Sequence, residues 1–257
     1  MNAERLAVLG WSRAILLQLA HPLVAAGVAE HSSFRAGRLT AAARLHHTIR
    51  AMLALTFGDP AARQAAIDGI RAIHRRVHGR LSEGAGAFPA GTPYSAEDPA
   101  LVLWVHATLL ESIPLVYERI VQPLTAEERD AYCAEAAEIA VDLGARDDKV
   151  PRTWAAVNRY LAQMYASGAI AVSAPARELA ATVLAPPFGW LVGPLARANR
   201  LIGVGTLPAG IRAQYGLDWD DRREAQLART VRRLRALRRV LPARVALWPE
   251  ARRGWYT

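Results

Sequence analysis

The stretch "ALVLWVHATLLES", residues 100–112, carries no charge until Glu111 and is apolar on every side. A helix without a polar face belongs at the centre of a helical protein, with other helices covering it all round. His106 therefore sits in the interior. Asp98-Pro99 just before it places an N-cap ahead of a proline at the first helical position.

The same punctuation recurs outward from this segment. Asp59-Pro60 repeats the N-cap pattern, Thr125 with Glu128 forms a capping box, and Pro175 opens another segment. Gly58, Gly79 and Gly144 stand where helices stop. The reading predicts helices at 3–29 (bent near Pro22), 38–57, 60–78, 99–121, 126–143, 151–168, 175–185 and 218–240. Short helical pieces follow at 186–216, and residues 80–97 form one long Gly/Pro loop. No run of strands is visible, and alanine, leucine and arginine dominate the composition. The expected fold is an all-α, single-domain multi-helix bundle spanning 1–257.

The 257 residues are 52% hydrophobic and 21% charged, which excludes a disordered chain. A net charge of +9 invites a nucleic-acid partner. The basic residues are nearly all arginine, Lys149 being the only lysine, and they are spread along the chain; no nucleic-acid partner is expected. The lone Cys133 excludes an intrachain disulfide and a Cys-rich zinc site. No signal peptide opens the sequence, so a cytoplasmic location is expected. Residues 14–29 and 179–196 are apolar, but the first is short and the second is broken by Pro186, Pro187 and Pro194. Both read as buried core, with shallow, peripheral membrane contact as the rival. The Arg-rich segment 232–253 reads as an amphipathic helix with Leu234, Leu237 and Leu241 on its packed side. Solvent, a membrane surface and nucleic acid compete for its other face.

All seven histidines lie within the first 106 residues, on several helices that can converge in a bundle core. In "RAIHRRVHG" (71–79), Ile70, Ile73, Val77 and Leu81 fall on one helical stripe. His74 lies at its edge, Arg71 and His78 just beyond, and Arg75 and Arg76 point away. In "RLHHT" (44–48), Arg44, His47 and Thr48 share a neighbourhood at i, i+3 and i+4. Three chemistries compete for such a set. A zinc site wants three close ligands, but no HExxH or Cys/His spacing is present. Non-haem iron wants two histidines and a carboxylate, for which Glu30, Asp68 and Glu111 are candidates. Haem wants one imidazole, apolar walls and guanidinium groups for its propionates. Composition leaves the three open.

In order along the chain, "LLQLAHPLVAAGVAEHSSF" (16–34), "RLHHT", "FGD" (57–59), "RAIHRRVHG", "YSAEDPALVLWVHATLLES" (94–112) and "LP…R…YGLDW" (207–219) resemble the MpaB/rubber-oxygenase family, which includes the latex clearing proteins. The resemblance implies a helical haem b protein that uses O₂ to cleave carbon–carbon double bonds in isoprenoid chains. It implies His74 of an R-x-x-H helix, after Arg71, as the iron ligand, and Arg44 and Thr48 as distal residues. It implies His106 as a supporting residue. Where the latex-clearing branch has a distal lysine this chain has His47, which opens a bis-histidine alternative. Glu30 is a candidate for proton handling, and His78 for the pocket edge. The expected partners are O₂ and a hydrophobic small-molecule substrate smaller than rubber, with the oligomeric state left open. The alternatives are a haem or lipid carrier without chemistry, and a histidine-based non-haem metal hydrolase.

Overall fold

The computed structural model describes residues 1–31, 38–184 and 193–253; of residues 38–46 and of Arg253 only the backbone is described. Along the chain run α1 (Leu9–Leu19), α2 (Pro22–His31), α3 (Arg38–Phe57) and α4 (Pro60–His74). Strands β1 (His78–Arg80) and β2 (Pro93–Ser95) follow, then α5 (Pro99–Ile120), α6 (Ala126–Asp142), α7 (Trp154–Ala166) and α8 (Ala174–Leu184). The chain closes with α9 (Gly193–Gly205), α10 (Ala209–Gln214), α11 (Asp221–Val240), α12 (Ala243–Ala246) and α13 (Pro249–Arg253). The fold is all-α apart from one small hairpin, as the sequence predicts.

The capping chemistry marks the helix starts. Asp59 accepts from Ala62 N and Asp98 from Ala100 N, each at 2.8 Å. Thr125 and Glu128 form the reciprocal box. The predicted bend at Pro22 is sharper than a kink, since the axes before and after it differ by 104°.

α5 is the central helix, packed by α1, α6, α7 and α11. Trp104, Ala107 and Thr108 on it are completely buried. Gly10 permits the closest approach, because a Cβ there would lie 2.7 Å from the Ser112 carbonyl oxygen. Leu16, Leu17, Trp104, Leu110, Val157 and Leu161 lead the main core, drawn from α1, α5 and α7. Among the described helices α5 alone is long and apolar enough to cross a membrane, and about two-thirds of its apolar window is buried within the protein. The apolar run 14–29 is likewise core. Of the run 179–196, residues 185–192 lie outside the described residues.

Five expectations are corrected. The helix predicted over 60–78 ends at His74. His78, Gly79 and Arg80 instead pair antiparallel with Ser95, Tyr94 and Pro93, so part of the expected 80–97 loop is strand. Gly79 is consequently not a helix stop but the clearance for Tyr94, whose hydroxyl would lie 2.5 Å from a Cβ at 79. The apolar stripe through Ile73 is also not a core stripe, because Ile73 is 56% exposed. In the C-terminal helix Leu237 is 47% exposed rather than packed with Leu234.

α3 and α4 form a hairpin, with α3 facing Ala7, Val8, Trp11 and Ile113 across a small cavity. α3 packs along α4 and touches α13, and Arg63 of α4 reaches Asp142 of α6 at 2.8 Å. That hairpin carries Arg44, His47, Thr48, Arg71 and His74.

Candidate functional site

His74 is the last residue of α4. Its position is fixed by the turn that follows it. Val77 N donates to the His74 carbonyl at 3.0 Å, and Ala96 N donates to the Val77 carbonyl at 2.8 Å. Val77 then packs with Leu23, Ala26, Tyr94, Leu101 and Phe88 between α2, the strands and the start of α5. His74 therefore stands beside the 95–98 turn, close enough for the charge of Glu97 to act on it. Burial is the larger influence and lowers its pKa, so the ring is neutral at pH 7. Its Nδ1 is sealed from solvent and has no hydrogen-bond partner among the described residues. Arg71, one turn earlier, is exposed, as are Arg75 and Arg76.

Two further histidines share this state. His106 on α5 is buried, and its Nε2 is sealed without a partner. Burial alone lowers its pKa to about 4. Ile113 lies seven residues on, within ~20° of the same face of an α-helix. That residue lines a small cavity of about 30 Å³ opposite Met52, Leu53 and Phe57 of α3. His21, between α1 and α2, is buried with Nδ1 unpartnered and a pKa lowered to about 4, again by burial, with Asp98 opposing. Its ring lies 5.1 Å from that of Phe88 and 6.4 Å from that of Trp104. Sequence reasoning left His21 out of the site; its position in "LLQLAHP" is the only signal it had.

A second constellation joins Glu30, His31, Tyr94 and His78. The buried Tyr94 donates its hydroxyl to Glu30 at 2.5 Å and lies 3.3 Å from His31 Nε2. His31 Nε2 is also 3.0 Å from the His78 carbonyl oxygen. Burial and the Glu30 carboxylate hold the Tyr94 proton firmly, its pKa lying far above the usual phenol range. Glu30 and His78 are both exposed, so Glu30 acts here through Tyr94, and His78 lies on β1 rather than at a helix end. Tyr94 and His31 were not anticipated, because no local spacing encodes a pairing across some sixty residues.

On α3, His47 and Thr48 are exposed, and the side chain of Arg44 lies outside the described residues. The candidate acids for a non-haem metal are otherwise engaged. Glu111 binds the buried Arg13 at 2.6 Å, and Asp68 accepts from Gln64 at 2.9 Å. Among the described residues no three His, Cys, Asp or Glu side chains converge as a metal site.

The donor set nevertheless fits haem. That group asks of the chain one neutral imidazole with a free nitrogen, apolar neighbours and nearby cations. His74, Val77 with Leu101, and Arg71 meet those demands, and His106 offers a second neutral ring. Neither histidine lines the 30 Å³ cavity, which is a separate, water-sized space.

The described residues form an all-α bundle in which His21, His74 and His106 each keep one sealed ring nitrogen without a partner among those residues. The family model described as the ER-bound oxygenase mpaB/B′/rubber oxygenase catalytic domain matches residues 1–236, and the chain belongs to that family. No curated protein and no solved structure matches it. Membership identifies the chain with an oxygenase family, in agreement with the ordered motifs of the sequence.

Proposed function

We propose that this protein is a haem b-dependent oxygenase that uses O₂ to oxidise or cleave a lipophilic, isoprenoid-like small molecule, with His74 as the iron ligand. The observation that carries this reading is the sealed, unpartnered Nδ1 of a neutral imidazole on α4, in the R-x-x-H position of an oxygenase-family chain. A buried polar atom without a partner costs about 1–3 kcal/mol. Such an atom persists where a group outside the polypeptide, or the exchange of one ring nitrogen for another, relieves it.

The chain's own residues divide the work as follows. His74 presents a neutral ring, held by burial and by the turn anchored through Val77. Arg71 offers a guanidinium one turn away, suited to a carboxylate-bearing rim. His106 and His78 complete the histidine surroundings, one buried on α5 and one on β1. Arg44, His47 and Thr48, within two turns of α3, supply donors for oxygen or for substrate orientation. Glu30 holds the Tyr94 proton and so fixes where a proton resides at that edge. When bound, haem supplies the O₂ and one-electron chemistry that no side chain here provides.

The test is spectroscopic. Protein produced with ample haem is expected to show a Soret band and a haemochrome spectrum, and His74→Ala is expected to lose both while keeping its helical circular dichroism. A colourless wild-type protein refutes the haem assignment. O₂ consumption with squalene or farnesol, reduced by Arg44→Ala, separates an oxygenase from a carrier, in which neither is seen. The hydrolase alternative is not favoured, since its candidate carboxylates are committed to Arg13, Gln64 and Tyr94.

A further inference from the structure

The outer face of α11 and the short α12 combine features that neither the core nor the histidine site uses. On an ideal helix Arg229, Arg233, Leu237 and Val240 fall within ~80° of one another. The opposite face holds Leu227, Val231 and Leu234, which pack on the body of the protein. Leu237 is 47% exposed, Val240 77% and, on α12, Val245 45%. These are three of the five large exposed hydrophobic residues among the described residues, and they sit within nine positions of one another.

The charge around them is one-sided. No acidic residue occurs between Glu224 and Glu250. Arg235 donates to the carbonyls of Glu118 and Arg119, and Arg238 pairs with Glu4 at 2.5 Å. Those two side chains, with Trp248 N donating to the Ala3 carbonyl at 2.9 Å, tie this end to the body. Arg229, Arg232, Arg233, Arg239 and Arg244 remain exposed, with no ion-pair partner among the described residues.

We propose that this end of the molecule docks on the surface of an anionic lipid bilayer. Arginines reach the phosphate headgroups while Leu237, Val240 and Val245 enter the headgroup–acyl boundary. A solvated helix gains nothing from a bare valine and leucine at its tip. Nucleic acid would use the arginines but leave the aliphatic side chains in water. Only a bilayer surface satisfies both, and the paired signals of charge and apolar insertion are what reversible membrane binding requires.

The docking stands apart from the oxygenase reading, because vesicle binding is read without turnover. Full-length protein is sedimented with phosphatidylcholine vesicles, with and without phosphatidylglycerol, at low and high salt. Partitioning is expected to be about tenfold stronger on the anionic vesicles and to fall at high salt. Arg233→Glu with Arg239→Glu is expected to lose at least about tenfold, and Leu237→Ser with Val240→Ser about threefold or more. Arg76→Glu with Arg159→Glu makes the same change of charge on exposed positions of other elements and is expected to stay within about twofold. Equal losses in the two arginine pairs reduce the effect to net charge and overturn the proposal. Tighter binding to duplex DNA, with the Leu237/Val240 variant unchanged, also overturns it in favour of a nucleic-acid surface.

Discussion

Lowering the pH from 7.5 to 5 should remove a defined part of this protein's stability through His21 and His106. Both rings are buried and neutral, with pKa values lowered to about 4 from the usual 6.5. Above pH 6.5 folded and unfolded chains are both neutral at these positions, so neither contributes a pH dependence. As the pH falls through 6.5 the unfolded chain takes up a proton at each ring that the fold refuses, and stability declines until about pH 4. At pH 5 the loss is about 2 kcal/mol for each histidine and about 4 kcal/mol for the pair. Against a typical total of roughly 5–15 kcal/mol this is a large share. Paired carboxylates add their own losses only at lower pH, so the window from 6.5 to 5 belongs to the histidines. Urea unfolding followed by circular dichroism, on protein stripped of bound ligand, measures the difference directly. His21→Phe keeps a ring against Phe88 and Trp104, so its pH 7.5-to-5 difference should fall by about 2 kcal/mol, whatever its absolute stability. A wild-type difference below about 1 kcal/mol, or an unchanged difference in the variant, refutes the argument that burial holds these rings neutral.

Arg13→Met should be among the most damaging single changes. Arg13 is 2% exposed and binds Glu111, Ser112 and the Thr206 carbonyl, so its loss leaves the half-buried Glu111 without its cation. A cost of about 3–5 kcal/mol, or roughly 10 °C in melting temperature, is expected by calorimetry; the companion change Glu111→Gln with Arg13→Met should recover part of it. Tyr94→Phe removes the donor to Glu30 and should cost about 1 kcal/mol by urea titration, the modest figure reflecting the exposed carboxylate.

The parts of the fold legible in the sequence are those encoded within a few residues. The all-round apolarity of 100–112, the Thr125–Glu128 box and the Asp-Pro caps are local, and each helix they mark starts where it was expected. The failure at 75–80 has an equally physical cause. The 3.6-residue spacing of Ile70, Ile73 and Val77 continues through the break, but Val77 buries itself between α2 and β2 only if the chain leaves the helix at His74. Pairing of His78–Arg80 with Pro93–Ser95 then satisfies the backbone, and Ile73 is left outside. Tertiary packing outweighed a propensity that was sound on its own terms.

The site divides along the same line, and the division has chemical content. His74 and His106 could be singled out because each departs from an apolar pattern on its own helix, and such a departure needs no knowledge of what lies opposite. Glu111 departs from the pattern just as clearly, yet its meaning depends on Arg13, 98 residues away. Before that partner is known, the carboxylate reads as a candidate metal ligand; with it, the group is half of an internal ion pair. Glu30 changes in the same way once Tyr94 is placed 2.5 Å from it. A charged or polar residue read from sequence is therefore a question about a partner. His74 and His106 kept their standing because one ring nitrogen of each has no partner among the described residues, whereas the acids lost theirs because each found one.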